Sequence, residues 1–239
     1  MSSMIFNTLF SKHFTLYAAI HYQREKNQNF AEVKDLLGGV GFLDVDAFAV
    51  KTSEITASDF VTRIQSDIRN PNRIVGVGDS YNYNYEIDAS VGTGFLQGRF
   101  TYRKMNFFIS ATASKTSYQR NGLFENGYFP GNASFGKSDL LKFSNFGIKA
   151  GGIVTINGHH FLRYQGAYFN KAPTLRNVFI NPRQNNYTIP QLLDKNQSSP
   201  STKSIDIAYI YRSPKIQAEL TGYYTKTRND SQVSSFFTE

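Results

Sequence analysis

Apolar and polar residues alternate at period two along most of this chain, while repeats at the helical period are nearly absent. Side chains that alternate in this way line opposite faces of an extended strand. From His13 to Tyr22, one face carries Phe14, Leu16, Ala18, Ile20 and Tyr22. The same pattern places Phe107, Ile109, Ala111 and Ala113 together, and then Phe146, Ile148, Ala150, Gly152 and Val154. It returns in Leu162, Tyr164, Gly166 and Tyr168, in Ile205, Ile207, Tyr209 and Tyr211, and in Ala218, Leu220, Gly222 and Tyr224. From Tyr83 to Tyr102 the phase changes, with Ile87, Ala89 and Val91 on one parity and Leu96, Phe100 and Tyr102 on the other. A one-residue slip turns every later side chain to the other face, so the sequence predicts a β-bulge near Gly92-Thr93-Gly94. Two short helices are expected, at Phe30–Leu37 before Gly38-Gly39, and at Ala57–Ile68, entered through Thr56 and ended by Asn70-Pro71.

The connections between these segments alternate in length. Short ones fall at Arg103-Lys104-Met105, Asn157-Gly158 and Ser213-Pro214, and Asn-Gly favours a tight hairpin. Long ones, near 23–79, 120–141 and 171–202, are rich in Asn, Gly, Ser and Pro. Short turns at one end and long loops at the other characterise an outer-membrane β-barrel. The expected strands reach about 10–20 residues, against the about 9–11 that cross a bilayer and the about 5–6 usual in globular sheets. Tyr81, Tyr83, Tyr85, Tyr102, Tyr223 and Tyr224 sit near strand ends, where barrels carry aromatic girdles. The expected fold is therefore all-β, an antiparallel up-and-down transmembrane barrel of about 7–8 strands. A half-buried sheet of a soluble sandwich or adhesin also alternates at period two, so a surface binding module remains the alternative.

Composition narrows the function. Aromatics make up 15% of the 239 residues, which separates the chain from disordered sequences. With no cysteine, there is no disulfide framework, thiolate metal site or Cys nucleophile. No run of about 18 apolar residues predicts a transmembrane helix, and no signal peptide is visible. The net charge is +8, but no three consecutive residues are Lys or Arg, so no basic stripe points to nucleic acid.

No constellation points to an enzyme, and no cofactor or metal is expected. His159 and His160 follow a turn and would face opposite sides of a strand. Asp44 and Asp46 are too few oxygen ligands for calcium and read as a solvated loop. Glu86 and Asp88 fit an ordinary polar strand face rather than a pair of catalytic carboxylates. Gly131-Asn132-Ala133-Ser134-Phe135-Gly136-Lys137-Ser138 satisfies G-x-x-x-x-G-K-[ST]. That chemistry needs a strand before the loop and a helix after it, and an alternating strand follows here, so the match reads as coincidence.

Several segments carry a family likeness. One is Asn126-Gly127-Tyr128-Phe129-Pro130-Gly131-Asn132, running on through Phe143 to Gly151. Others are Ala172-Pro173-Thr174-Leu175-Arg176-Asn177 through Arg183, and Ile210-Tyr211-Arg212-Ser213-Pro214 with Thr221-Gly222-Tyr223-Tyr224 and the closing Ser235-Phe236-Phe237. From about His13 onward the chain resembles the barrel domain of a Bacteroidetes-type TonB-dependent outer-membrane receptor. The resemblance implies import of a scarce or bulky ligand through a barrel of about 22 strands filled by a plug. It also implies TonB complex, plug domain and outer-membrane lipid as partners, and the bacterial outer membrane as the location. The chain departs from the pattern in its strand count and in lacking a plug, a TonB-box segment and a terminal aromatic. Open sheet edges are costly in lipid, so residues 1–239 are expected to be an internal part of a longer barrel. A complete eight-stranded barrel is the rival.

Candidate binding residues follow from that architecture. Tyr81, Tyr83, Phe124, Tyr128, Phe129, Arg183 and Tyr187 would offer aromatic and cationic contacts at the outer mouth. Arg99, Lys149, Arg163 and Arg212 would face the lumen and favour an anionic ligand or an acidic plug surface.

Overall fold

The computed structural model describes residues 1–46, 56–179, 181–185 and 199–230. Eight long strands dominate them: β1 (Ser2–Ser11), β2 (Phe14–Glu32), β5 (Ser80–Tyr102), β6 (Met105–Gly122), β8 (Leu141–Thr155), β9 (His160–Asn170), β10 (Ser201–Arg212) and β11 (Gln217–Arg228). Between them lie the short β3 (Phe42–Leu43), β4 (Ile74–Val75) and β7 (Gly136–Lys137), and the helices α1 (Ala57–Arg63) and α2 (Leu175–Val178). The long strands form one antiparallel sheet in the order β1-β2-β5-β6-β8-β9-β10-β11. Each strand pairs with the next long strand in sequence, so the fold is an up-and-down meander, and the sheet is open with β1 and β11 at its edges. β7 pairs with β6, and β3 with β4 in a separate two-stranded sheet.

Every second connection is short. Tight turns join β1 to β2, β5 to β6, β8 to β9 and β10 to β11, while long segments join the others. Several long strands run past their expected ends. β2 continues to Glu32, so the first long connection is 33–79 rather than 23–79. β6 runs to Gly122, shortening the second. The helix expected at Phe30–Leu37 does not form, because Phe30 and Ala31 pair with Asn84 and Tyr81 of β5. α1 begins as expected, capped by the Thr56 hydroxyl accepting from the Asp59 N–H, but ends at Arg63. β1 was not legible in advance, because Met4, Ile5, Phe6, Leu9 and Phe10 place apolar groups on both parities.

The register sorts the side chains into two faces. On the belt face, Phe14, Phe100, Phe107, Gly152, Tyr164 and Ile207 form one row. Phe6, Ala18, Leu96, Ala111, Ile148 and Tyr168 form another. The other face, termed the trough face, carries Arg99, Gln97, Asn106, Ser110, Lys149, Arg163, Gln165 and Ser204. Exposure runs opposite to that of a soluble sheet. Ile109 is 59% exposed beside Ser110 at 8%, and Phe146 is 52% exposed beside Asn145 at 4%. Among the described residues, no second layer covers the apolar belt.

The phase change in β5 has a different cause from the expected bulge. Pairing is unbroken from Tyr22↔Gly92 to Phe14↔Phe100 and across β5–β6, so Gly92-Thr93-Gly94 holds no bulge. The irregularity lies further out, where Ala31 pairs with Tyr81 after Phe30 with Asn84, beside Asn82 at φ +63°. The faces exchange character while the backbone stays in register. Up to Gly94 the belt face is apolar. Beyond it that face carries Ser90, Asp88 and Glu86, while the trough face carries Val91, Ala89 and Ile87 and covers the folded loops.

Candidate functional site

Past the belt, the ends of β2, β5 and β6 carry a lobe built from the three long connections. Its buried apolar residues are Val33, Val75, Ile87, Phe143 and Val178. The first and second connections meet where Ile68 N–H donates to Glu125 O (2.8 Å) and Gly127 N–H to Gln65 O (3.0 Å). A Cβ on Gly127 would stand 2.1 Å from Thr62 O, so only glycine allows this approach.

Arg120 of β6 ties the second connection to the third. It is 2% exposed. Its Nη1 donates to Ser134 O (3.2 Å) and to Asn185 Oδ1, and its Nη2 to Pro182 O (2.6 Å). Its guanidinium lies 4.3 Å from the Tyr85 ring centroid. These residues of β6 lie outside the apolar belt. Burial lowers the Arg120 pKa to about 10, which leaves it cationic at neutral pH. Asn185 completes the latch: its Nδ2 donates toward Asn132 O (3.1 Å), Phe135 O (3.2 Å) and Gly136 O (3.1 Å).

This geometry also disposes of the phosphate-loop match. The 131–137 loop turns carbonyl oxygens inward toward Asn185 and Arg120. Its last two residues, Gly136 and Lys137, form strand β7, where a phosphate site needs a helix and inward N–H groups.

A third tie corrects the reading of Asp44 as a solvated loop residue. Asp44 is 3% exposed. Its carboxylate accepts from Arg73 Nη2 and from the Asn82 N–H at 2.8 Å. Arg73 also donates to Ser80 O and lies 4.6 Å from the Phe124 ring centroid. Nothing in the sequence pairs Asp44 with Arg73, because the contact depends on tertiary folding.

The candidate mouth residues divide accordingly. Phe124 lies under Arg73, Tyr81 packs edge-on against Phe42 at 5.7 Å, and Arg183 pairs with Asp46; these three hold the lobe together. Tyr83 lies 6.0 Å from Tyr85, and Tyr128 6.5 Å from Phe129, all half-buried. Tyr187 lies outside the described residues.

Arg99, Lys149, Arg163 and Arg212 all fall on the trough face. Arg163 pairs with Glu219 at 2.6 Å. Lys149 lies 5.9 Å from the Phe108 ring centroid and Arg212 5.5 Å from that of Phe161. Arg99 is exposed and makes no ion pair among the described residues. With Gln97, Asn106, Phe108, Arg163 and Gln165 it lines an open trough of about 390 Å³. A neighbouring trough of about 470 Å³ is lined by Phe95, Ser110, Thr112, Lys149, Ala167 and Ser204. Asn106, missed as a candidate, has its Oδ1 buried without a partner; its polar parity on β6 was the available signal.

The troughs combine amide, hydroxyl and guanidinium groups, which suits reversible binding of a polar or anionic molecule. Among the described residues, no three His, Asp or Glu side chains converge to hold a metal. His159 Nδ1 contacts Arg212 O (2.7 Å) and His160 Nδ1 contacts the Tyr209 hydroxyl. No helix among the described residues is long and apolar enough to cross a membrane, which says nothing of strands. Comparisons with family models, curated proteins and solved structures gave no match.

Proposed function

We propose that this chain is an arc of the transmembrane barrel of a TonB-dependent outer-membrane receptor, which binds and imports a ligand too scarce or bulky for passive entry. The observation that carries the reading is the inverted sidedness of the sheet: large apolar groups are exposed on one face, and polar groups are more covered on the other. A soluble module would need a second layer over the belt face. The belt has the height a bilayer demands. On β5 it spans the nine positions Gly94–Tyr102. At about 3.4 Å per residue that is about 30 Å along the strand, and a tilt of about 40° reduces it to about 23 Å, close to the about 25 Å band of outer-membrane barrels.

Aromatics gather at the turn end of the belt, as expected of an interfacial girdle. Phe14, Phe100 and Phe107 stack at 4.8 and 4.7 Å, and His13 stacks on Tyr102 at 5.0 Å. The lobe then sits on the outer side of the membrane and the trough face lines the lumen. There Arg99 and its amide neighbours contact the passing ligand, with a plug and the TonB complex supplied by the whole receptor. The open sheet supports an arc rather than a closed eight-stranded barrel, because exposed edges in lipid cost several kcal/mol per unpaired group.

The test is assembly in the outer membrane, using the protein expressed with its natural flanks. Ile148→Lys and Ile207→Lys place a charge in the belt at a cost of about 2–4 kcal/mol each and reduce the assembled fraction. Lys149→Ile, on the other face, leaves assembly intact. Wild-type protein that remains soluble and never reaches the membrane refutes the reading.

A further inference from the structure

The belt face ends, on the loop side, in cations. Past the last apolar residue stand Arg24 after Tyr22 on β2, Lys115 after Ala113 on β6, Lys203 before Ile205 on β10, and Lys226 after Tyr224 on β11. At one end of this rim the charge is neutralised within the sheet: Arg24 pairs with Asp88 and Lys26 with Glu86. At the other end it is left open. Lys203 and Lys226 are direct cross-strand partners, an arrangement in which like charges repel. Arg228 adds a third cation two positions beyond Lys226 on the same face. No acidic residue occupies the belt face of β10 or β11, and among the described residues no carboxylate forms an ion pair with any of the three. All three are exposed.

The groups beneath them complete a graded surface. The Lys203 ammonium lies 5.5 Å from the Tyr168 ring centroid. Tyr224 and Ile205 are cross-strand partners in the next row, followed by Ile207. From the rim inward the order is therefore cations, aromatic rings, then aliphatic side chains, matching the phosphate, glycerol and acyl regions of a lipid.

We propose that Lys203, Lys226 and Arg228 form a headgroup site for a phosphate-bearing anionic lipid of the loop-side leaflet. The lipid phosphate relieves the repulsion between the paired lysines, and Tyr168 and Tyr224 flank its upper acyl chains. This rests on the membrane-spanning reading above.

The test uses the full-length receptor, purified in mild detergent and stripped of native lipid. Binding of phosphatidylglycerol and of phosphatidylcholine with identical chains is measured by native mass spectrometry, with inorganic phosphate as a third probe. Wild type should prefer phosphatidylglycerol, and inorganic phosphate should neither bind nor compete at millimolar concentration. The triple variant K203Q/K226Q/R228Q should lose that preference by about tenfold or more, since each cation near an anionic surface contributes roughly 1 kcal/mol. Lys34→Gln on the lobe should leave it unchanged. Should the triple variant not fold, wild type at about 0.05 and 0.5 M salt carries the test, because screening at the higher salt removes the preference. Equal affinity for both lipids, a preference unchanged in the variant or by salt, or inorganic phosphate competing as well as the lipid overturns the proposal. Flotation of the receptor with purely zwitterionic vesicles reads the membrane assignment separately: failure there sinks that assignment, whereas flotation without lipid preference sinks only the headgroup site.

Discussion

Replacing Arg120 with methionine tests whether the loop lobe is held as one unit. Arg120 donates to Ser134 O, Pro182 O and Asn185 Oδ1, joining the second and third connections to β6. Three hydrogen bonds from a charged donor contribute about 1.5 kcal/mol each, or about 4.5 in all. Against this, the burial that lowers its pKa to about 10 returns about 3.4 kcal/mol once the charge is gone. The stranded Asn185 and Pro182 oxygens add about 1 kcal/mol each. The lobe should lose about 3 kcal/mol of local stability. Amide exchange measured by mass spectrometry reads that loss directly. Peptides covering 123–138 should exchange about 100-fold faster in Arg120→Met, while peptides from Gly94–Tyr102 stay protected. Unchanged exchange in 123–138 would refute the latch. Equal acceleration everywhere would show that the lobe and the belt unfold together.

Other perturbations probe separate parts of the account. Gly127→Ala forces a Cβ against Thr62 O and Arg63 O and should cost about 1–3 kcal/mol, read as proteolytic opening between α1 and residues 123–130. Asp44→Asn leaves the half-buried Arg73 without its anion and should destabilise the first connection by about 3 kcal/mol, visible as faster exchange at 33–46 and 64–82. Outside the belt, hydrogen bonding and attraction from Lys26 and Arg24 hold the Glu86 and Asp88 carboxyls below their ordinary values. Depressed carboxylate pKa values stabilise above the unfolded values and lose that effect as pH falls through the folded ones. The outer ends of β2 and β5 should therefore fray below about pH 4, seen as faster exchange at 24–32 after correction for intrinsic rates; protection unchanged down to pH 2 would remove the ion pairs from the account.

The meander was legible because period-two patterning is local and its apolar parity coincides with the belt on every strand that keeps a single phase. Loop asymmetry was legible for the same reason, through Asn157-Gly158 and the Gly- and Asn-rich connections. Three features escaped. β1 has apolar groups on both parities, so its pattern has no phase. A parity change within one strand reads as a bulge if the strand has one apolar environment, whereas β5 passes from the belt to the lobe, and its apolar side changes at the boundary. The Arg120–Asn185 and Asp44–Arg73 contacts join residues distant in sequence whose polar types alone suggest loops. The candidate mouth residues have the chemistry of a binding site, yet Tyr81, Phe124 and Arg183 bind the lobe to itself. Arg99 is different: its parity on β5 placed it on the trough face, where it stays exposed.

The central claim is that the belt face meets lipid and that the faces exchange character at its rim. Because the chain has no cysteine, single cysteines along β6 from Met105 to Gln119 can each carry a nitroxide in the membrane-embedded protein. Electron paramagnetic resonance then compares accessibility to oxygen, which concentrates in lipid, with accessibility to a water-soluble nickel complex. Positions 105, 107, 109, 111 and 113 should favour oxygen, and 106, 108, 110, 112 and 114 should not. From 115 outward, 115, 117 and 119 should favour the nickel complex, while 116 and 118 are shielded by the lobe from both. A nickel preference at 107, 109 and 111 equal to that at 115 and 117 would contradict the account.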